Sequence, residues 1–202
     1  MYISIDTETL GLNHRNCDII EFGAVIDDLK SPIDSLPRFH CYLVKENKPN
    51  NEVYYGEAYA MSMHSKILKR IATRESGFNY FTPETFYDQF QKFLIDNKVN
   101  EDKHVFDEQG KTCIKDVLVA GKNFAGFDLK FLEMLPNFGR AFKFFHRFID
   151  PMMLYFDPLT MKTPPSLDVC LKLAGIEKEV QHTAVEDAID VIKCLRFKWN
   201  IK

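Results

Sequence analysis

The chain has 202 residues, 46% of them hydrophobic and 27% charged, with a formal net charge of −3. That length and apolar content suit one domain with a sizeable core, and no run approaches the roughly 18 apolar residues of a membrane span. Five scattered cysteines without a C-x-x-C pair argue against a disulfide framework or a zinc site. Met1 leads straight into a strand pattern with no basic-then-apolar leader, so a cytoplasmic chain is expected.

In chain order, Tyr2–Ile5, 18–28 and 38–44 read as three consecutive strands, with antiparallel pairing expected and Pro32 and Pro37 in the turn-rich segment between the last two. A polar loop follows over 45–52, then an irregular helical pattern over 54–74. Thr82 is placed as the N-cap of a clearer helix, with Pro83 at its first position and Phe86, Phe90, Phe93 and Leu94 on one stripe. A small β-hairpin insertion is expected at about 101–116. The run 116–120 reads as a fourth strand and 129–132 as the start of a helix. A fifth strand is expected over 146–149, ending at Asp150-Pro151, and a short helix over 166–173. A final helix over 183–197 carries Val185, Ala188, Ile189, Ile192 and Leu195 at helical spacing. Neither a repeat nor a linker appears, so 1–202 is read as one α/β domain.

Three segments carry chemistry. Asp6-Thr7-Glu8 ends the first strand, and because side chains alternate along a strand both carboxylates point to one face. Such a pair repels, and a hard divalent cation relieves the repulsion; taken alone, D-x-E is a weak signal. The second segment, Asn123-Phe124-Ala125-Gly126-Phe127-Asp128, puts Asp128 at a strand-to-helix turn. The third is His182-Thr183-Ala184-Val185-Glu186-Asp187 at the opening of the last helix. His182 and Asp187 are five apart, about 140° around an ideal helix. They can share a site only if His182 lies in the loop before the helix. Glu186 faces elsewhere and is read as solvated; Asp150 and Asp168 are read as turn or capping residues. No role is assigned to His14, His40, His104 or His146. Most of the 18 phenylalanines are assigned to the core.

In this order the segments resemble the DnaQ-like 3′–5′ exonuclease superfamily, in the subgroup with four acids and a histidine five residues before the last. Asp6 and Glu8 match its first motif, Asp128 its second, His182 and Asp187 its third. The five-residue step from Asn123 to Asp128 resembles the oligoribonuclease-like members. The resemblance covers essentially the whole chain and implies a ribonuclease H-like α/β fold with a mixed five-stranded sheet flanked by helices. It also implies a two-metal 3′–5′ exonuclease, a hydrolase acting on single-stranded DNA, RNA or short oligonucleotides and releasing nucleoside 5′-monophosphates.

In that reading Asp6, Glu8, Asp128 and Asp187 are metal ligands for two divalent ions. All-oxygen ligands favour Mg²⁺ or Mn²⁺, and His182 is the proton acceptor for the attacking water. Thr9 and Leu12 occupy positions where the family touches the terminal nucleotide, Leu12 as an apolar wedge. His64, in Met63-His64, loosely resembles the family's H-G-I segment, with Ser65-Lys66 where Gly-Ile would stand. The negative net charge does not exclude a nucleic-acid partner, since four of the acids would be neutralised by bound cations; it argues against tracking along a duplex. A catalytically silent nucleic-acid-binding module and a polymerase-associated proofreading subunit are the alternatives. DNA against RNA, the preferred length, a homodimer and a polymerase partner stay open.

Overall fold

The computed structural model describes residues 1–45, 52–106, 110–177 and 183–201. The elements are β1 (Tyr2–Thr9), β2 (Ile19–Asp27), β3 (Arg38–Leu43), α1 (Ala58–Met63), α2 (Ser65–Thr73), β4 (Tyr80–Phe81) and α3 (Pro83–Asp96). They continue with β5 (His104–Phe106), β6 (Thr112–Val117), β7 (Val119–Ala120), α4 (Asp128–Glu133), β8 (Phe142–Phe144), α5 (Pro151–Tyr155), α6 (Leu167–Leu173) and α7 (Ala184–Lys198).

A five-stranded mixed sheet in the order β4-β3-β2-β1-β7 organises the chain. β1, β2 and β3 pair antiparallel, as the sequence predicts, while β7 runs parallel to β1 and β4 parallel to β3. The α/β class and the strand count are those expected. The identity of the fifth strand is not. Tyr80–Phe81 fills that place, and 146–149 contributes only a single parallel bridge, Ala120 with Ile149. His146 and Arg147 are exposed, so the segment lacks the alternating burial that holds a strand in a sheet. The helical stretch expected over 54–74 is two helices broken at His64.

The predicted hairpin forms, with Val105 paired to Cys113, but it is not a detached insertion. β8 joins β6 in parallel to make a second, three-stranded sheet. The Gln91 amide of α3 fastens this sheet to the domain, donating to the carbonyls of Thr112 and Ala141 at 2.5 and 2.6 Å.

Both faces of the main sheet are covered, which is why β2 is buried at every position. On one face Ile3, Ile5 and Phe22 pack against Phe86 and Phe90 of α3, with Phe22 and Phe86 edge-to-face at 4.8 Å. On the other, Tyr2, Val25 and Ala120 meet Ala188, Ile192 and Leu195 of α7. The apolar spacing of α7 thus matches what it buries. Phe22, Phe39, Phe86, Phe90, Phe124, Phe131 and Phe142 are all in the core, as composition suggested.

Candidate active site

β1 lies between β2 and β7, and its carboxyl end carries Asp6 and Glu8 on the face that α7 covers. A shift in the β1–β2 pairing between Glu8 and Thr9 falls beside them; such irregularities re-aim side chains and end regular pairing. α7 enters at the same place. The Thr183 hydroxyl accepts from the Glu186 amide at 3.4 Å as the helix N-cap, which sets Asp187 in the first turn over the strand. Carboxylate oxygens of Asp6, Glu8 and Asp187 lie within 4.8 Å of one another. Residues 181 positions apart in sequence are thereby joined.

Asp128 opens α4 beyond the end of β7 and is 3% exposed. It is not one of that tight trio. The Thr7 hydroxyl, on the opposite face of β1 from Asp6, donates to its Oδ1 at 2.7 Å and holds it.

The electrostatics follow from gathering four acids in a half-buried place. Burial, then the charges of Asp128, Glu8 and Asp187, push Asp6 well above the usual carboxylate range. Burial, followed by Glu21, Asp187 and Asp128, lifts Glu8 to about 8. Burial raises Asp128 to about 6 against the Thr7 hydrogen bond, which holds it down. A divalent cation would offset the repulsion among carboxylates so crowded. The donors are all hard oxygens and are close enough to converge on one ion, so Asp6, Glu8 and Asp187 fit a Mg²⁺- or Mn²⁺-type ligand set.

His182 lies outside the described residues, immediately before Thr183. His64 sits at the break between α1 and α2 with its Nε2 3.6 Å from Glu8 Oε2, so it reaches the acid cluster. Leu12 is 78% exposed on the turn after β1. The turn is braced by its own amide donating to Glu57 Oε1 at 3.2 Å and by the Thr9 hydroxyl donating to Gly11 O at 2.8 Å. Thr9 is buried and spends its hydroxyl shaping that turn. An open cleft of about 580 Å³, lined by His14, Arg15, Tyr55 and Phe131 among others, adjoins the turn and α4. Asp150 caps α5 as expected, accepting from the Met152 amide at 2.9 Å. Glu186 is half-buried rather than solvated, and its Oε2 is enclosed without a hydrogen-bond partner among the described residues. The packing of α7's first turn against the sheet draws it in.

Several contributors were not singled out from sequence. Glu21 is fully buried opposite Glu8, beside His40 Nε2 at 2.5 Å and the Ala184 amide at 3.5 Å. It ties the first residue of α7 to β2. Its signal was an acid inside the apolar run 19–26. Gly23 is the seat of that helix end: a Cβ there would stand 2.4 Å from Ala184 C and Val185 N. Gly23→Ala is therefore expected to push α7 off the strand and destabilise the fold by about 1–3 kcal/mol, measured as a lowered denaturant midpoint.

No protein-family model matches the chain, and no curated protein matches it. Solved structures do. The RNase domain of the yeast Pop2 protein superposes with a TM-score of 0.58 at 14% identity, over 98% of this chain and 76% of that one. A structure of exonuclease I gives a TM-score of 0.58 at 13% identity, over 96% of this chain and 40% of that one. E. coli exonuclease I in complex with a dT13 oligonucleotide gives 0.57 at 13% identity, over 98% and 41%. The chain thus spans about two-fifths of the exonuclease I structures. Among the described residues no helix is long and apolar enough to cross a membrane. The chain has the fold of these exonuclease and RNase structures, the α/β ribonuclease H-like fold that its resemblance to the DnaQ-like superfamily predicts.

Proposed function

We propose that this protein is a metal-dependent 3′–5′ exonuclease that removes nucleoside 5′-monophosphates from single-stranded DNA or RNA ends. The observation that carries the reading is the convergence of Asp6, Glu8 and Asp187 within 4.8 Å beside the held carboxylate of Asp128. Bound divalent ions would supply charge neutralisation at the phosphate and a more acidic water. Asp6, Glu8 and Asp187 would hold one of them, with Asp128 contributing to a second beside Asp6. The nuclease activity of neighbours sharing this fold supports the same reading.

His182, which directly precedes the N-cap residue Thr183 in the sequence, would accept the proton of the attacking water. His64, against Glu8, would orient the terminal nucleotide's phosphate side. Thr9 shapes the turn that presents Leu12, and Leu12 would lie against the last base. The cleft beside that turn, with aromatic and basic side chains together, suits a few unpaired nucleotides.

Incubating the protein with end-labelled DNA and RNA of graded lengths in Mg²⁺ or Mn²⁺ tests this directly. Stepwise shortening from the 3′ end, lost on chelation and in Asp187→Asn, is expected. Binding without any shortening would favour the silent module instead. Leu12→Ala is expected to raise KM about tenfold, the order of one buried leucine contact, with little change in kcat. Unchanged KM in steady-state kinetics would remove the wedge.

A further inference from the structure

We propose that Lys122 is the phosphate-contacting cation of this site, its ammonium meeting a non-bridging oxygen of the phosphodiester brought over Asp6, Glu8 and Asp187. The inference rests on the nuclease reading and adds a residue to it.

The placement comes from the sheet. β7 runs parallel to β1 with Ser4 level with Ala120. β7 ends at Ala120, and Lys122 follows two residues later, in the turn that opens beside the stretch of β1 running from Ser4 to Asp6. Gly121 holds the chain close against β1: a Cβ there would stand 2.8 Å from Ile5 O, and the Gly121 amide donates to Ile149 O at 3.0 Å. Directly after Lys122 the chain turns away. Asn123 adopts a left-handed φ of 52°, and its amide donates to Asp150 Oδ2 at 3.1 Å. Lys122 therefore stands at the lip of the acid cluster on a backbone fixed from both sides.

Its side chain is exposed. Its charge acts against the raised proton affinities of Asp6, Glu8 and Asp128. Yet it forms no ion pair with any of them among the described residues. A lysine close enough to be felt by three acids, and locked to none, keeps its three donors for another anion. Once the acids are occupied by divalent cations, the partner of opposite sign that remains for it is the incoming phosphate. The ammonium works here as a point charge, so arginine should substitute for it and glutamine should not.

The test measures fluorescence anisotropy of a 5′-fluorescein oligothymidylate with phosphorothioate linkages, in Mg²⁺, across about 50–200 mM salt. The full chain and its Lys122→Gln and Lys122→Arg variants are compared, with Lys172→Gln, on the exposed side of α6, as control. Lys122→Gln is expected to bind about tenfold more weakly, the order of one charge-assisted hydrogen bond. Its slope of log affinity against log salt should fall by about 0.7, the contribution of one phosphate contact on a single strand. Lys122→Arg should restore both quantities, and Lys172→Gln should change neither. If Lys122→Gln matches the unaltered chain in affinity and slope while that chain binds and hydrolyses, Lys122 is not the contact and the nuclease reading stands. If the unaltered chain neither binds nor hydrolyses the unmodified oligonucleotide, the nuclease reading falls and this inference with it.

Discussion

Asp6→Asn is expected to abolish turnover and, in the metal-free protein, to raise the melting temperature. The two effects share one cause. Asp6 is crowded by Asp128, Glu8 and Asp187, and its own burial followed by their charges holds it far above an ordinary carboxylate. An amide of the same shape removes a charge that the fold tolerates only because a cation can offset it, so the metal-free state relaxes. The loss of activity should be roughly 10²–10³-fold or more, as when a preorganised group facing developing charge is removed. The gain in Tm should be about 2–4 °C, the response of a domain this size to about 1 kcal/mol.

The pH dependence carries a definite sign. Asp6, Glu8 and Asp128 bind protons more tightly folded than unfolded, Glu8 up to about 8 and Asp128 up to about 6. Their relative stabilisation is complete below the ordinary carboxylate range and is lost as pH rises through those values. The metal-free protein should therefore melt higher at pH 5 than at pH 8, and Asp6→Asn should narrow the difference. Divalent metal should reverse the trend, since its binding expels those protons and tightens as pH rises. Differential scanning calorimetry with chelator and with Mn²⁺ reads all of this. A melting temperature of Asp6→Asn below that of the unaltered chain, without metal, would contradict the account.

The same residues show what a sequence can and cannot disclose. The period of β1 alone puts Asp6 and Glu8 on one face, and the apolar spacing of the last segment alone makes it a helix with Asp187 in its early turns. Both are local patterns, and both are seen in the fold. The parallel partner of β3 was not readable, because Tyr80–Phe81 is two residues long and gains its pairing wholly from the neighbouring strand. Segment 146–149 looked like a strand by composition, but nothing in its own residues reveals that only Ile149 finds a partner. Glu21 and Gly23 escaped for a related reason. Their importance lies in a contact with α7 more than 160 residues away, and short-range spacing carries no information about it. Lys122 carries no signal of its own in the sequence; its nearness to the acids appears only once β7 is set beside β1.

Arg196→Met is expected to destabilise the fold by about 3–5 kcal/mol, the usual result of removing one partner from a buried ion pair. Arg196 is 3% exposed and Asp27 is fully buried. The guanidinium is bidentate on the carboxylate, with Nε 3.1 Å from Oδ2, and its Nη1 donates to Ser31 O at 2.8 Å. Asp27 also accepts from the Tyr2 hydroxyl and the Leu29 amide, both at 2.8 Å. Burial pushes the Asp27 carboxyl up, but Arg196 with these two donors holds it below the usual range. The pair locks the far end of α7 to the end of β2, so it fixes the helix whose first turn carries Asp187. Without the guanidinium the carboxylate is buried with no counter-charge. Asp27→Asn in the Arg196→Met background should recover much of the loss, because the amide keeps the acceptor for Leu29 without a charge to desolvate. The deficit of Arg196→Met should also shrink toward low pH. The ionised form of Asp27 stabilises the unaltered fold only above the ordinary carboxylate range, and that contribution is lost as pH falls through its depressed value. Urea unfolding at pH 7 and near pH 4 measures both quantities. A deficit that is the same at the two pH values would mean that Arg196 acts through the packing of its stem and not through Asp27.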